Sequence, residues 1–142
     1  MTDIDPNCEF CKIARNDGDS AQVVADGASW IAFFPREPAT PGHTMIIPRS
    51  HVTDLWELDT DLGSDLMTAV IEVGKAIGKA LNPDGMNLIS SAGAAAEQSV
   101  FHLHLHVVPR WSSDGIDQIW PPREPMNITL REGLAEQIRS AL

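Results

Sequence analysis

The chain has 142 residues, 43% of them hydrophobic, enough for one globular domain, residues 1–142, with a sizeable core. Twenty acidic against ten basic residues give a net charge of −10; this argues against nucleic acid as a partner, which needs a basic stripe, and leaves any phosphorylated substrate to local groups. No apolar run nears the ~18 residues that span a bilayer, and the acidic start MTDIDPNCEFCK has no signal-peptide core, so no membrane partner and a cytoplasmic location are expected.

Taken in order, the elements begin with a helical turn around CEFCKIAR. It carries the chain's two cysteines, Cys8 and Cys11, in a C-x-x-C, a spacing that suggests metal or redox chemistry in a reducing compartment. AQVVADGASWIAFF reads as a β-hairpin about Asp26-Gly27. HTMIIP (43–48) is a third strand, with His43 structural at its start; His51 in PRSH, taken alone, is a loop residue. Residues 60–81 form the clearest helix, since Leu62, Leu66, Val70, Val73, Ile77 and Leu81 recur at three- and four-residue spacing. Asn82-Pro83-Asp84-Gly85 stops it. MNLISS (86–91) and the histidine-rich run from Phe101 give strands four and five. TLRE (129–132) reads as a capping box opening a C-terminal helix striped with Leu130, Leu134, Ile138 and Leu142. The short strand connections favour antiparallel pairing. The fold class is therefore α+β, a five-stranded, mainly antiparallel sheet with one long helix and a C-terminal helix.

FHLHLHVVPRW sets His102, His104 and His106 at period two against Phe101, Leu103, Leu105 and Val107. That alternation is a half-buried strand, with the apolar set on a core and three imidazoles on the other face. Neighbouring imidazoles lie about 6.6 Å apart along the strand and the outer two about 13 Å apart. Two can converge on one metal ion; three cannot. Covalent chemistry is the other use: a neutral imidazole attacks phosphorus once a hydrogen bond fixes its tautomer, and a neighbouring imidazole holds the oxygens or protonates the leaving group. The small-residue loop upstream, 93–99, lets phosphate approach the backbone, with Gln98 and Ser99 as added donors.

QSVFHLHLHVV resembles the motif of the histidine triad superfamily, His-φ-His-φ-His-φ-φ with φ apolar, preceded by Gln-Ser/Thr-Val. CEFCKIA, PATPGHTMIIPRSH, DGMNLIS and IWPP also look like family segments in family order, so the likeness covers roughly residues 8–122. The resemblance implies a nucleotide hydrolase acting at the α-phosphate of purine nucleotide phosphoramidates or dinucleoside polyphosphates. Its intermediate would be a nucleotidyl-histidine on the middle histidine, here His104. His106 matches the residue contacting phosphate, and Gln98 and Ser99 match polar residues around phosphate and leaving group; no metal is required for that chemistry. It further implies a homodimer through the long helix and the fourth strand. A structural zinc ion (Zn2+) would be bound by Cys8, Cys11, His51 and His102. Two positions depart from the pattern: Pro35 stands where many members have Asp or Asn for the ribose, and Ser91 where many have Asn on the fourth strand, at the nucleotide. Outside this reading stand a nucleotide-binding regulatory module with little turnover, and a metal-dependent hydrolase using the His-x-His pair.

Overall fold

In a computed structural model describing residues 4–16 and 21–142, the β-rich runs form β1 (Val23–Asp26), β2 (Trp30–Phe33), β3 (Thr44–Pro48), β4 (Gly85–Ile89) and β5 (Leu105–Arg110). Residues 1–3, which open the acidic N-terminal stretch, and residues 17–20 lie outside that description. The sheet order is β1-β2-β3-β5-β4 and every pairing is antiparallel. The β1–β2 turn needs Gly27, because a Cβ there would strike the Trp30 indole.

Helices cover both faces of the sheet. The long helix α2 (Thr60–Leu81) starts at Asp59, whose carboxylate accepts the Leu62 N–H, and ends at left-handed Asn82. It buries Leu66, Ala69, Val73 and Ile77 against Ala32, Ile46, Leu103 and Val107. The opposite face packs Ile31, Phe33, Met45 and Ile47 under Phe10 and Ala14 of the short helix α1 (Glu9–Ala14). The histidine face is thus roofed by α1 and is not a half-solvated surface: His102 is 0% and His104 8% exposed.

Two further expectations are corrected. The ladder of β5 begins at Leu105, where β3 pairs it through Ile46. Residues 101–104 precede it, with the Leu103 N–H given to the Val52 carbonyl at 2.6 Å. The last helix, α3 (Ile128–Ala141), is capped by Asn127, whose side chain accepts from Thr129 N–H and Leu130 N–H. Asn127 is a stronger cap than threonine and lies two residues earlier, so TLRE falls inside the first turns. No residue of α3 is buried.

Arg49 and Arg110 serve the scaffold. Arg49 donates to the Gly27 and Ala14 carbonyls and pairs with Asp26; Arg110 pairs with Asp114 at 2.7 Å and donates to Asn87.

Candidate functional site: a strand of fixed imidazole tautomers

Hydrogen bonds assign the ring protons along the histidine run. The His104 Nδ1 lies 2.8 Å from the main-chain carbonyl of His102. A carbonyl only accepts, so Nδ1 carries the proton and, in the neutral ring, Nε2 keeps its lone pair. The assignment for His106 begins at Ala39, whose N–H donates to His43 Nδ1 at 3.0 Å. Neutral His43 therefore carries its proton on Nε2, 2.9 Å from His106 Nδ1, and the His106 proton is left on Nε2. Burial, then the adjacent His104 and His43, push His106 down to about 4; burial also lowers His43. Both rings are neutral at pH 7. With the His104 and His106 rings 4.9 Å apart, a basic nitrogen stands beside an N–H donor.

This arrangement carries a pH cost. His106 takes up a proton near 6.5 when unfolded and near 4 when folded, so between those values the unfolded chain binds more protons. Its contribution to stability is full above about pH 6.5 and is lost as pH falls through 4. The melting temperature is expected to drop across that window, and His106→Gln should flatten the drop; equal slopes for variant and wild type would contradict it.

A second cluster sits at the start of the same run. Cys8, Cys11, His51 and His102 bring their ligand atoms within 4.8 Å of one another. His102 donates Nε2–H to the Pro48 carbonyl at 2.9 Å, which leaves the Nδ1 lone pair facing Cys8 Sγ and Cys11 Sγ, both at 3.5 Å. His51 Nδ1 is 3.4 Å from Cys11 Sγ. Burial, then His51 and His104, hold His102 neutral, at about 4; burial pushes the Cys11 thiol up. A tetrahedral zinc with Zn–S about 2.3 Å and Zn–N about 2.0 Å has S···N edges of about 3.5 Å. The three S···N separations of 3.4–3.5 Å match those edges, and the Pro48 carbonyl is the outer partner expected of a ligating histidine.

The loop before the triad is braced by Gln98. Its Oε1 accepts Gly93 N–H at 2.8 Å, and its amide donates to the Thr53 and Val100 carbonyls. Expected as a donor facing phosphate, the side chain is turned inward, because the bend at Gly93 (φ 86°), Thr53 and Val100 offer it three partners. Ser99 is exposed and Ser91 half-buried, and neither makes a side-chain hydrogen bond to another described residue. Beside the triad, a cavity of about 740 Å³ opens between α1 and the end of β2, its walls including Phe10, Ile13, Gln22, Phe34, Pro35 and Arg36. Phe10 joins cavity to triad, its ring 5.2 Å from that of His104 and at nearly a right angle to it.

His43 and Phe10 escaped the sequence reading as members of the site. A signal for His43 was present: Met45 lies opposite His106 in the β3–β5 pairing, so odd positions of the third strand share a face with the even histidines.

The chain is similar to proteins already known. An adenosine 5'-monophosphoramidase of Schizosaccharomyces pombe is 32% identical over 139 residues, 96% of this chain and 98% of that protein. The crystal structure of a HIT family protein from Bacillus anthracis superposes with a TM-score of 0.88 at 30% identity, covering 96% of this chain and 98% of the other. A zinc-bound histidine triad family protein from Mycobacterium smegmatis does so with a TM-score of 0.72 at 32% identity, covering 96% and 98%. Residues 17–113 match the HIT domain model, and with the triad motif and the sheet that displays it, the chain belongs to the HIT family.

Proposed function

We propose that the protein hydrolyses purine nucleotides at the α-phosphate through a nucleotidyl-histidine intermediate on His104. The observation that carries this is the pair of opposed tautomers: a lone pair on His104 Nε2 beside a proton on His106 Nε2. His104 Nε2 attacks phosphorus as the bond to the leaving nitrogen or oxygen breaks. His106 holds a non-bridging oxygen through its N–H, and water then cleaves the P–N bond and frees His104. The cavity beside Phe10 takes the nucleoside. Gln98 shapes the loop along which phosphate lies, while Ser99 and Ser91 border the leaving group and the nucleotide. The named activity of the S. pombe relative supports amine leaving groups. At Pro35 the ribose meets a ring with no hydrogen-bonding group, so the base and phosphate carry most of the affinity.

A metal-dependent hydrolysis fits less well. Among the described residues, Cys8, Cys11, His51 and His102 are the one set of three or more His, Cys, Asp or Glu groups that converges as metal ligands, and His104 is outside it. Those four residues would hold a zinc ion that ties the N-terminal turn to the sheet.

The test is a panel of nucleoside phosphoramidates and dinucleoside polyphosphates compared by kcat/KM, with rapid quench and mass spectrometry of the labelled peptide. A nucleotidyl adduct on His104 is the expected result. Turnover with no adduct at any time, or complete metal-reversible loss with a chelator, would overturn the reading.

The same reading includes a homodimer. Met67 and Ile71 of α2 and Met86, Leu88 and Ile89 of the edge strand β4 are exposed. Met86 and Leu88 share the sheet face that α2 covers, and the Met86 sulfur lies against Gly74, so with Met67 and Ile71 they form a joined apolar face that marks an interface. Light scattering at micromolar concentration should give twice the 15.5 kDa chain mass, and Ile71→Glu with Leu88→Glu should halve it. A stable wild-type monomer would contradict the assignment.

A further inference from the structure

The cysteine–histidine cluster and the cavity share one piece of backbone. Five of the 12 residues lining the cavity, Asn7, Glu9, Phe10, Lys12 and Ile13, come from the stretch that holds Cys8 and Cys11. That stretch has little to keep it folded by itself. Helix α1 is six residues long, and its N-cap, Cys8, makes no side-chain capping bond; a helix so short is unstable in isolation. Apart from the cluster, its ties to the sheet among the described residues include the packing of Phe10, Ile13 and Ala14 and a hydrogen bond from Arg49 to the Ala14 carbonyl.

We propose that Cys8 and Cys11 are positioning residues for nucleotide recognition. By sharing a metal ion with His51 and His102 they hold α1 against the sheet, and α1 forms one wall of the nucleoside cavity. Metal content then sets the affinity for nucleotide more than the rate of the step at His104. The separation follows from the contacts: without metal, His102 keeps its bond to the Pro48 carbonyl, and its own carbonyl still receives the His104 proton. Without metal the wall keeps weaker ties, such as the packing of Phe10, Ile13 and Ala14 and the Arg49 bond. If the turn is ordered about a tenth of the time without metal, the apparent Kd rises about tenfold, because only the ordered fraction binds. This inference rests on the proposed nucleotide chemistry and on the fit of the four ligands to zinc.

The experiment uses the full chain, purified without a histidine tag, as isolated, after chelation, and after return of zinc. Metal analysis should find near one equivalent of zinc per chain as isolated; a metal-free native protein overturns the proposal. Calorimetry with adenosine monophosphate should show Kd raised about tenfold by chelation and restored by one equivalent of Zn2+, while kcat at saturating phosphoramidate moves much less than KM. Amide exchange should quicken over 8–14 on chelation and stay unchanged over 66–77. Cys8→Ser with Cys11→Ser should bind weakly whether or not zinc is added; should that variant fail to fold, the chelated wild type decides. Equal Kd in the two metal states, unchanged exchange over 8–14, or a fall in kcat at constant Kd would each overturn it. If no metal state binds the monophosphate, the nucleotide function itself is wrong, and exchange over 8–14 still decides whether metal orders the wall.

Discussion

His104→Ala is expected to lower turnover by about 10⁴-fold or more while leaving a folded protein. The size follows from what is removed. The imidazole proposed to form the covalent intermediate has no substitute on this face: His106 presents its N–H to the site, with its lone pair engaged by His43, and His102 presents its lone pair to the cysteines. No neighbouring ring offers a second basic nitrogen in the same place. The fold should survive, since His104 packs on Phe10 at the edge of the second core cluster and makes no bond across the sheet; a loss of about 1–3 kcal/mol is expected from its truncation. Nucleotide monophosphate should still bind, because the cavity wall is intact. Single-turnover rates with a phosphoramidate, together with circular dichroism and calorimetry, check this. Near-normal turnover in a folded, uncontaminated variant would remove the covalent mechanism.

His43→Ala should cost between about 10- and 10³-fold in kcat, although His43 sits just before β3, far from the triad in sequence and outside its motif. With the His43 Nε2–H gone, His106 Nδ1 loses its donor. The ring is then free to carry its proton on either nitrogen, and the N–H that faces phosphate is no longer fixed. Holding the wrong tautomer of a catalytic histidine is known to be costly elsewhere, about 10⁴-fold in a serine protease triad; a mixture of tautomers costs less. KM should change little, because the bond acts through His106. Nitrogen-15 spectra of the imidazoles provide a direct readout: the proton on His106 Nε2 should be well defined in the wild type and averaged in the variant. His43→Gln, whose amide can donate to the same nitrogen, should recover part of the rate. Wild-type kcat in a folded His43→Ala protein would show that His106 needs no such partner.

The fold was legible from local rules because they agreed with one another. The helix over 60–81 has a strict apolar period, a carboxylate cap and a left-handed asparagine stop, and it appears with those bounds. The antiparallel sheet followed from short connections between β-rich runs. Missed features depend on partners distant in sequence. Nothing local tells the even face of the histidine strand that α1 will lie on it, since Phe10 and His104 are 94 positions apart. The convergence of Cys8, Cys11, His51 and His102 was drawn from resemblance, and spacing alone leaves the C-x-x-C open between metal and redox use. The inward turn of Gln98 is likewise a three-way contact among segments 51–57, 93 and 100. Asn127 prevails for a simpler reason: two caps two residues apart compete, and asparagine is the stronger although the Thr129–Glu132 pattern points to the other.

One run of alternating residues serves the cluster, the proposed nucleophile and the α2 core, and this makes the alignment of β5 a shared point of failure. A slip by a single residue would turn His102, His104 and His106 toward α2 and set a leucine in place of His102 against the cysteines. No half-functional alignment exists between these two states, so selection on the alignment is all-or-none. Residues that lock it are then as indispensable as the reacting groups, though they touch no substrate. The Thr40 hydroxyl, which grips the Pro109 carbonyl at 2.7 Å, and the Val52 carbonyl, which fixes Leu103, are two such clasps. Mutational tolerance in this protein should therefore follow the strand's alignment as closely as it follows distance from the phosphate.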